Sequence, residues 1–285
     1  MELYQKIERG LITTYRTRIW AKFLKAIEEY KLVNDGDKIC VCISGGKDSM
    51  LMAKLFQELK RHNKFNFELV FLVMDPGYSP ANREIIEHNA KTLNIPITVF
   101  ETDIFENVFN IEKSPCYICA RMRRGHLYNK AKELGCNKIA LGHHYDDVIE
   151  TTLMNMLNSG TFQTMLPKLH SDNFDNMELI RPLYLIREKD ILTWVNSNNL
   201  HFIRCACKLT ESIHKHTGDS GSQRQETKKL IASLKDYNAN VESNIFKSAE
   251  NVNLDKVIAY KIDNVKHNFL DDYDTKKGVK GNDND

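Results

Sequence analysis

Lys38-Ile39-Cys40-Val41-Cys42-Ile43-Ser44-Gly45-Gly46-Lys47-Asp48-Ser49 is the stretch whose reading decides the fold. Its first half is a short, mostly apolar run, the pattern of a strand buried on both faces of a parallel sheet. Beyond it, Met52, Leu55, Phe56 and Leu59 recur at helical spacing, so Ser49 to Arg61 is read as a helix. A strand, a glycine turn and a helix in that order make an anion cradle. The two glycines let the backbone turn tightly and approach a ligand. The helix start offers free N–H groups and the positive end of its dipole. Ser44 and Ser49 add hydroxyl donors, and Lys47 adds a full charge. A Walker A loop needs a longer spacing between glycine and lysine, so this is a phosphate loop of another kind.

Working outward, residues 2–32 carry helical spacing through Leu11, Ile12, Tyr15, Ile19, Phe23 and Ile27, and Asn34 to Asp37 reads as a turn. Further strands are expected over Phe67 to Met74, Ile97 to Phe100 and Lys138 to Leu141. Helices are expected over Pro80 to Leu93, Cys119 to Leu134 and Asp146 to Leu157, with another after Arg181-Pro182-Leu183. This alternation predicts an α/β domain: a mostly parallel sheet with helices on both faces. Ligands of such sheets bind at the carboxyl ends of the strands. Three regions follow: an N-terminal helical segment (1–32), the α/β domain (33–212) and a C-terminal extension (213–285). In the extension Gln223 to Leu234 and Asn240 to Ala249 are candidate helices, and the polar end from Asp271 to Asp285 is expected to be disordered.

Forty basic and 38 acidic residues leave a net charge of +2, so composition alone does not point to nucleic acid. No apolar run reaches the roughly 20 residues that span a bilayer, and the first residues lack a signal-peptide core. A cytoplasmic protein with no membrane contact is expected, in which the seven cysteines would not form structural disulfides.

A second strand-to-helix junction reads Gly142-His143-His144-Tyr145-Asp146-Asp147-Val148-Ile149-Glu150-Thr151. Gly142 permits close backbone approach. Asp146 and Asp147 could cap the helix, hold Mg²⁺ beside phosphates or take a proton from substrate. His143 and His144 read as packing or polar wall. Met74, ending the second strand beside the phosphate loop, could offer its backbone to an adenine or serve an ordinary turn. Cys116-Tyr117-Ile118-Cys119 is a CxxC at a helix start, and Cys205-Ala206-Cys207 follows some ninety residues later. Zinc usually wants two CxxC knuckles, a redox pair exploits a helix N-terminus, and an iron–sulfur cluster is held by cysteine thiolates. The residues alone leave these three open.

The loop Ser44 to Ser49 resembles the SGGxDS loop of the pyrophosphate-loop ATPases, whose fold is that of the adenine nucleotide α-hydrolases. The second junction resembles the GHHxDDxxET motif of their RNA-thiolating members. Together with the CxxC, the chain resembles the tRNA 2-thiocytidine synthetases over roughly residues 10–235. The resemblance implies ATP bound by Ser44, Gly45, Gly46, Lys47, Asp48, Ser49, Met74 and Gly142, with Mg²⁺, and Lys47, Asp146 and Asp147 as catalytic residues. It implies a [4Fe-4S] cluster on Cys116, Cys119 and a later cysteine, Cys205 first and Cys207 in reserve. The family's later site reads FIPCxxCGSQ; here Phe202-Ile203-Arg204-Cys205 matches its start, and a longer insert precedes Gly221-Ser222-Gln223-Arg224-Gln225. The implied partners are tRNA and a sulfur donor, a cysteine desulfurase system, with a homodimer as candidate assembly. Arg121, Arg123, Arg124, Lys168, His170 and Arg181 are either RNA-facing or ordinary surface residues. The implied reaction adenylates a pyrimidine carbonyl, at carbon 2 of a cytidine, and replaces oxygen with sulfur. The loop would equally serve a lysidine-type or amide-forming ligase, and cysteines without ATP cleavage would suit an RNA-binding metal sensor.

Overall fold

The strands are β1 (Lys38–Ile43), β2 (Glu68–Asp75), β3 (Ile97–Glu101), β4 (Lys138–Ala140), β5 (Lys168–His170) and β6 (Glu178–Ile180). They form one sheet in the order β3-β2-β1-β4-β6-β5, and every pairing is parallel except the edge pair of β5 with β6. The computed structural model describes residues 1–105, 115–203 and 223–273, without the side chains of 115–117. Cys205, Cys207 and the chain from 274 on lie outside these residues, so the expectations placed there have no structural counterpart.

Alternation along β1 supplies both faces of the sheet. Ile39, Val41 and Ile43 enter the larger core, with Met50, Leu51 and Phe56 of α3 (Lys47–Arg61). Ile86 and Ala90 of α4 (Pro80–Thr92) complete that side. Cys40 and Cys42 face the other way, onto Tyr128 and Ala131 of α5 (Pro115–Glu133). Helices therefore cover both faces, as strands buried on both sides require. The remaining helices are α6 (Tyr145–Ser159), α7 (Glu188–Ser197), α8 (Gln223–Tyr237) and α9 (Val241–Ser248).

The N-terminal segment differs from the single helix its spacing predicts. It is α1 (Leu3–Ile12), a π-helical stretch (Arg16–Trp20) and α2 (Ala21–Glu29). Thr13 Oγ1 turns back to donate to Arg9 O (2.7 Å), and Tyr15 N donates to Gly10 O (2.9 Å), five residues back. The wider turn shifts the phase, so that Ile19 and Trp20 both reach the core. Lys54 of α3 is fully buried beneath α1, where its ammonium meets Glu8 (2.5 Å), Gln57 Oε1 (2.7 Å) and Leu93 O (2.7 Å). In the C-terminal region, β7 (Ala259–Ile262) and β8 (Val265–Asn268) form a separate hairpin.

Candidate active site

The phosphate loop lies where β1 passes into α3. Gly45 has φ +82°, and a Cβ there would stand 2.6 Å from Ile86 Cγ1 and 2.7 Å from Ile203 Cδ1. Backbone and space both demand glycine at this one position. Gly46 is the N-cap of α3 and no side chain caps the helix, which leaves its first-turn N–H groups for a ligand. Ser49 Oγ donates to Gly46 O (3.0 Å) and accepts from Ser44 N (3.2 Å), so this hydroxyl clips the loop shut. Lys47 Nζ lies 3.1 Å from Asp48 Oδ2 and 3.3 Å from Glu188 Oε1. Burial alone would lower its pKa, but those two carboxylates hold it above the usual value. Asp48 keeps an enclosed Oδ1 without a hydrogen bond, 3.9 Å from His144 Nε2, and burial raises its carboxyl.

The second junction stands directly beside this loop because β4 pairs with β1. A Cβ on Gly142 would come within 3.1 Å of Ser49 N and 3.2 Å of Asp48 C. The close approach anticipated for Gly142 is therefore to the start of α3. His144 caps α6: its Nδ1 accepts from Asp147 N (3.4 Å), while Asp147 Oδ2 accepts from His144 N (2.9 Å). Asp146 turns to α7, accepting from Glu188 N (2.7 Å) and from Arg187 Nη2 (3.0 Å). Asp147 Oδ1 accepts from Arg224 Nη1 of α8 (3.0 Å), and Lys228 of α8 pairs with Glu188. Asp147, with His144, takes the capping role foreseen for the pair, whereas Asp146 serves the start of α7 instead.

A cavity of about 420 Å³ opens from the loop, lined by Ser44, Asp48, Met74, Arg123, Arg124 and His143, with Asp147 on its wall. That volume suits a nucleotide-sized ligand. His143 Nδ1 is enclosed without a partner. Burial, with Arg181 next, pushes this imidazole down to about 4 and keeps it neutral at physiological pH. Met74 is buried against Cys119 and Ile104, so the CxxC helix packs on the end of β2 beside the cavity. Cys119 is the one candidate cluster ligand whose side chain is described. Among the described residues no three His, Cys, Asp or Glu gather as a metal site. Arg187, Glu188 and Lys228 went unnoticed in sequence because nothing in α7 or α8 spells a phosphate or carboxylate partner. Arg224 stands out in sequence only within the string Gly221-Ser222-Gln223-Arg224-Gln225.

The model of the PP-loop domain matches residues 15–213. The chain belongs to the PP-loop family. Within it, this PP-loop protein groups with the tRNA-cytidine(32) 2-sulfurtransferases. It is 34% identical over 252 residues to that of Citrifermentans bemidjiense, covering 86% of this chain and 96% of the relative. It is 35% identical over 231 residues to that of Syntrophotalea carbinolica, covering 80% and 86%. Among solved structures, the U34-tRNA thiolase NcsA from Methanococcus maripaludis with its [4Fe-4S] cluster superposes with a TM-score of 0.62 at 20% identity. That superposition covers 81% of this chain and 76% of the thiolase, and it establishes a shared fold.

Proposed function

We propose that the protein is an ATP-dependent tRNA sulfurtransferase that replaces O2 of a cytidine with sulfur. One observation carries the reading. The uncapped start of α3, with left-handed Gly45 and Lys47, opens onto the same cavity that the CxxC helix borders. A triphosphate on residues 44–49 would take Lys47 from Glu188 and place its α-phosphorus towards the cavity. Attack by the cytidine O2 on that phosphorus expels pyrophosphate and leaves an adenylated base. Sulfide then adds at carbon 2 and AMP departs with the former O2, so a poor leaving group has become a good one.

Asp48, whose Oδ1 has no hydrogen bond, is the carboxylate most available to Mg²⁺, because Asp146 is fully engaged with Arg187 and α7. Asp147 remains on the cavity wall to orient the base or accept a proton. The one described cysteine of the set fits a cluster ligand: Cys119 is half-buried and packed at the cavity border. Cys116, Cys119 and Cys205, with Cys207 as the alternative to Cys205, would hold a [4Fe-4S] cluster whose open iron supplies a binding place for sulfur. A cysteine desulfurase system is the expected donor, and the cytoplasm, where thiols stay reduced, the expected compartment. No helix among the described residues is long and apolar enough to cross a membrane.

The test is the tRNA nucleoside profile of a deletion strain. Loss of 2-thiocytidine is expected, restored by the wild-type gene but by neither Lys47→Ala nor Cys119→Ser. An unchanged profile would contradict the proposal.

A further inference from the structure

Among the described residues two of the four half-buried arginines, Arg187 and Arg83, are paired, as is the more exposed Arg224. Arg187 meets Asp146 and Glu242, Arg224 meets Asp147 and Glu150, and Arg83 meets Asp75 and Glu87. Among the same residues Arg123 has no such carboxylate, and neither does Arg181, which follows β6. Its Nε is enclosed without a partner, and its side-chain bond is from Nη1 to the carbonyl of Leu166. Among the described residues no carboxylate comes within ion-pair distance of it. A cation partly withdrawn from water without a counter-ion is destabilising, and such a cost is seldom kept without use.

The surroundings of Arg181 make the position worse for a cation in the free protein. Burial, followed by the attraction of Tyr184 and then the repulsion of Arg124, leaves its guanidinium pushed down to about 10, still charged at neutral pH. Arg123 and Arg124 of α5 line the active cavity together with His143, whose Nδ1 is also orphaned, and with Ser44 and Asp48 of the phosphate loop. His143 is neutral, so it neither repels the arginines nor compensates them. Two carboxylates line the cavity, and both are engaged: Asp48 with Lys47 and Asp147 with Arg224.

We infer that Arg181 and Arg124 form a second anion site, separate from the phosphate loop, which takes one phosphodiester of the tRNA next to the reacting nucleotide. The inference rests on the thiolation reading for the identity of the ligand. The ATP phosphates are the other source of the same chemistry, but they are the less suited one. Arg181 follows β6, two strands away from β1 in the sheet, or about 10 Å across at normal strand spacing. A phosphate there supplies the missing counter-charge and fits the planar fork of an arginine. It would also hold the nucleotide backbone at the rim while the base enters the cavity, as enzymes that act on an extruded base require.

The experiment is tRNA binding by the full-length protein across a salt series, with Arg181→Met, Arg181→Lys and Arg124→Ala, alongside KM for ATP and thermal melts. For Arg181→Met the expected result is about tenfold weaker tRNA binding. The slope of log affinity against log salt should fall in magnitude by about one. KM for ATP should stay within about twofold, and the melting temperature should hold or rise because an unpaired buried charge has gone. Arg181→Lys should keep the slope and lose part of the affinity, since charge remains and the fork does not. An unchanged slope with a lowered melting temperature would overturn the inference, leaving Arg181 as a pin for the loop at Leu166. A raised KM for ATP with an unchanged tRNA slope would overturn it in favour of a nucleotide phosphate. A wild-type protein that binds no tRNA at any salt would remove the thiolation reading itself, whereas binding with an unaltered slope in Arg181→Met removes only this site.

Discussion

The two glycines of the phosphate loop have different work. Gly45 combines φ +82° with neighbours 2.6 Å and 2.7 Å from any added Cβ, whereas a Cβ on Gly46 would meet only Ser44 Oγ at 3.6 Å. Gly45→Ala should therefore destabilise the fold by about 2 kcal/mol or more and abolish ATP binding. Gly46→Ala should change stability by less than about 1 kcal/mol. Urea melts and ATP affinity of the two variants check this contrast. His143 yields a pH prediction. Its imidazole titrates at about 4 in the folded protein against 6.5 in the open chain. Between those values the unfolded chain binds the extra proton, so stability falls as pH drops through 6.5 and levels off below 4. The loss from this group is at most roughly 3 kcal/mol. Melts of His143→Gln across pH 4–7 should show a flatter curve than wild type; parallel curves would refute the assignment.

At the scale of elements, α1 is joined to the sheet layer through one buried charge. Glu8→Ala leaves the Lys54 ammonium enclosed with only neutral partners, and the expected cost is about 3 kcal/mol or more. The double variant Glu8→Gln with Lys54→Met should recover most of that loss in the same melts. Elements were legible in sequence where periodicity ran long enough. Strand β1 has the bounds Lys38–Ile43 that its apolar run predicts, and α4 begins at Pro80 as read. The π stretch was hidden because Tyr15, Ile19 and Phe23 still recur at about helical spacing; the break shows in the bonds from Tyr15 N to Gly10 O and from Trp20 N to Tyr15 O, each five residues back. β5 and β6 were missed because three residues each carry no period. In the site, the loop and the paired aspartates were legible as local strings. Their partners Arg187, Glu188 and Arg224 were not, because two ion pairs and a backbone hydrogen bond that span 41, 77 and 42 residues leave no mark on local sequence.

At the scale of the whole molecule, the α/β sheet and α7 to α9 form the body that carries the site, and the β7–β8 hairpin stands apart. Ile258 is 77% exposed and Leu270 62% exposed, so this region buries little apolar surface of its own. A chain ending at residue 250 should melt within about 2 °C of the full-length protein, since little buried area is removed; a larger fall would mean that the hairpin braces the body. The proposed reaction is one coupling: ATP cleaved to AMP as a base exchanges oxygen for sulfur. Its most direct test is to incubate the anaerobically purified protein with ATP, sulfide and unmodified tRNA, then to count AMP and 2-thiocytidine together. One AMP for each 2-thiocytidine, with neither formed when tRNA is omitted, is the predicted result. ADP as the product, or AMP accumulating without any thionucleoside, would contradict it.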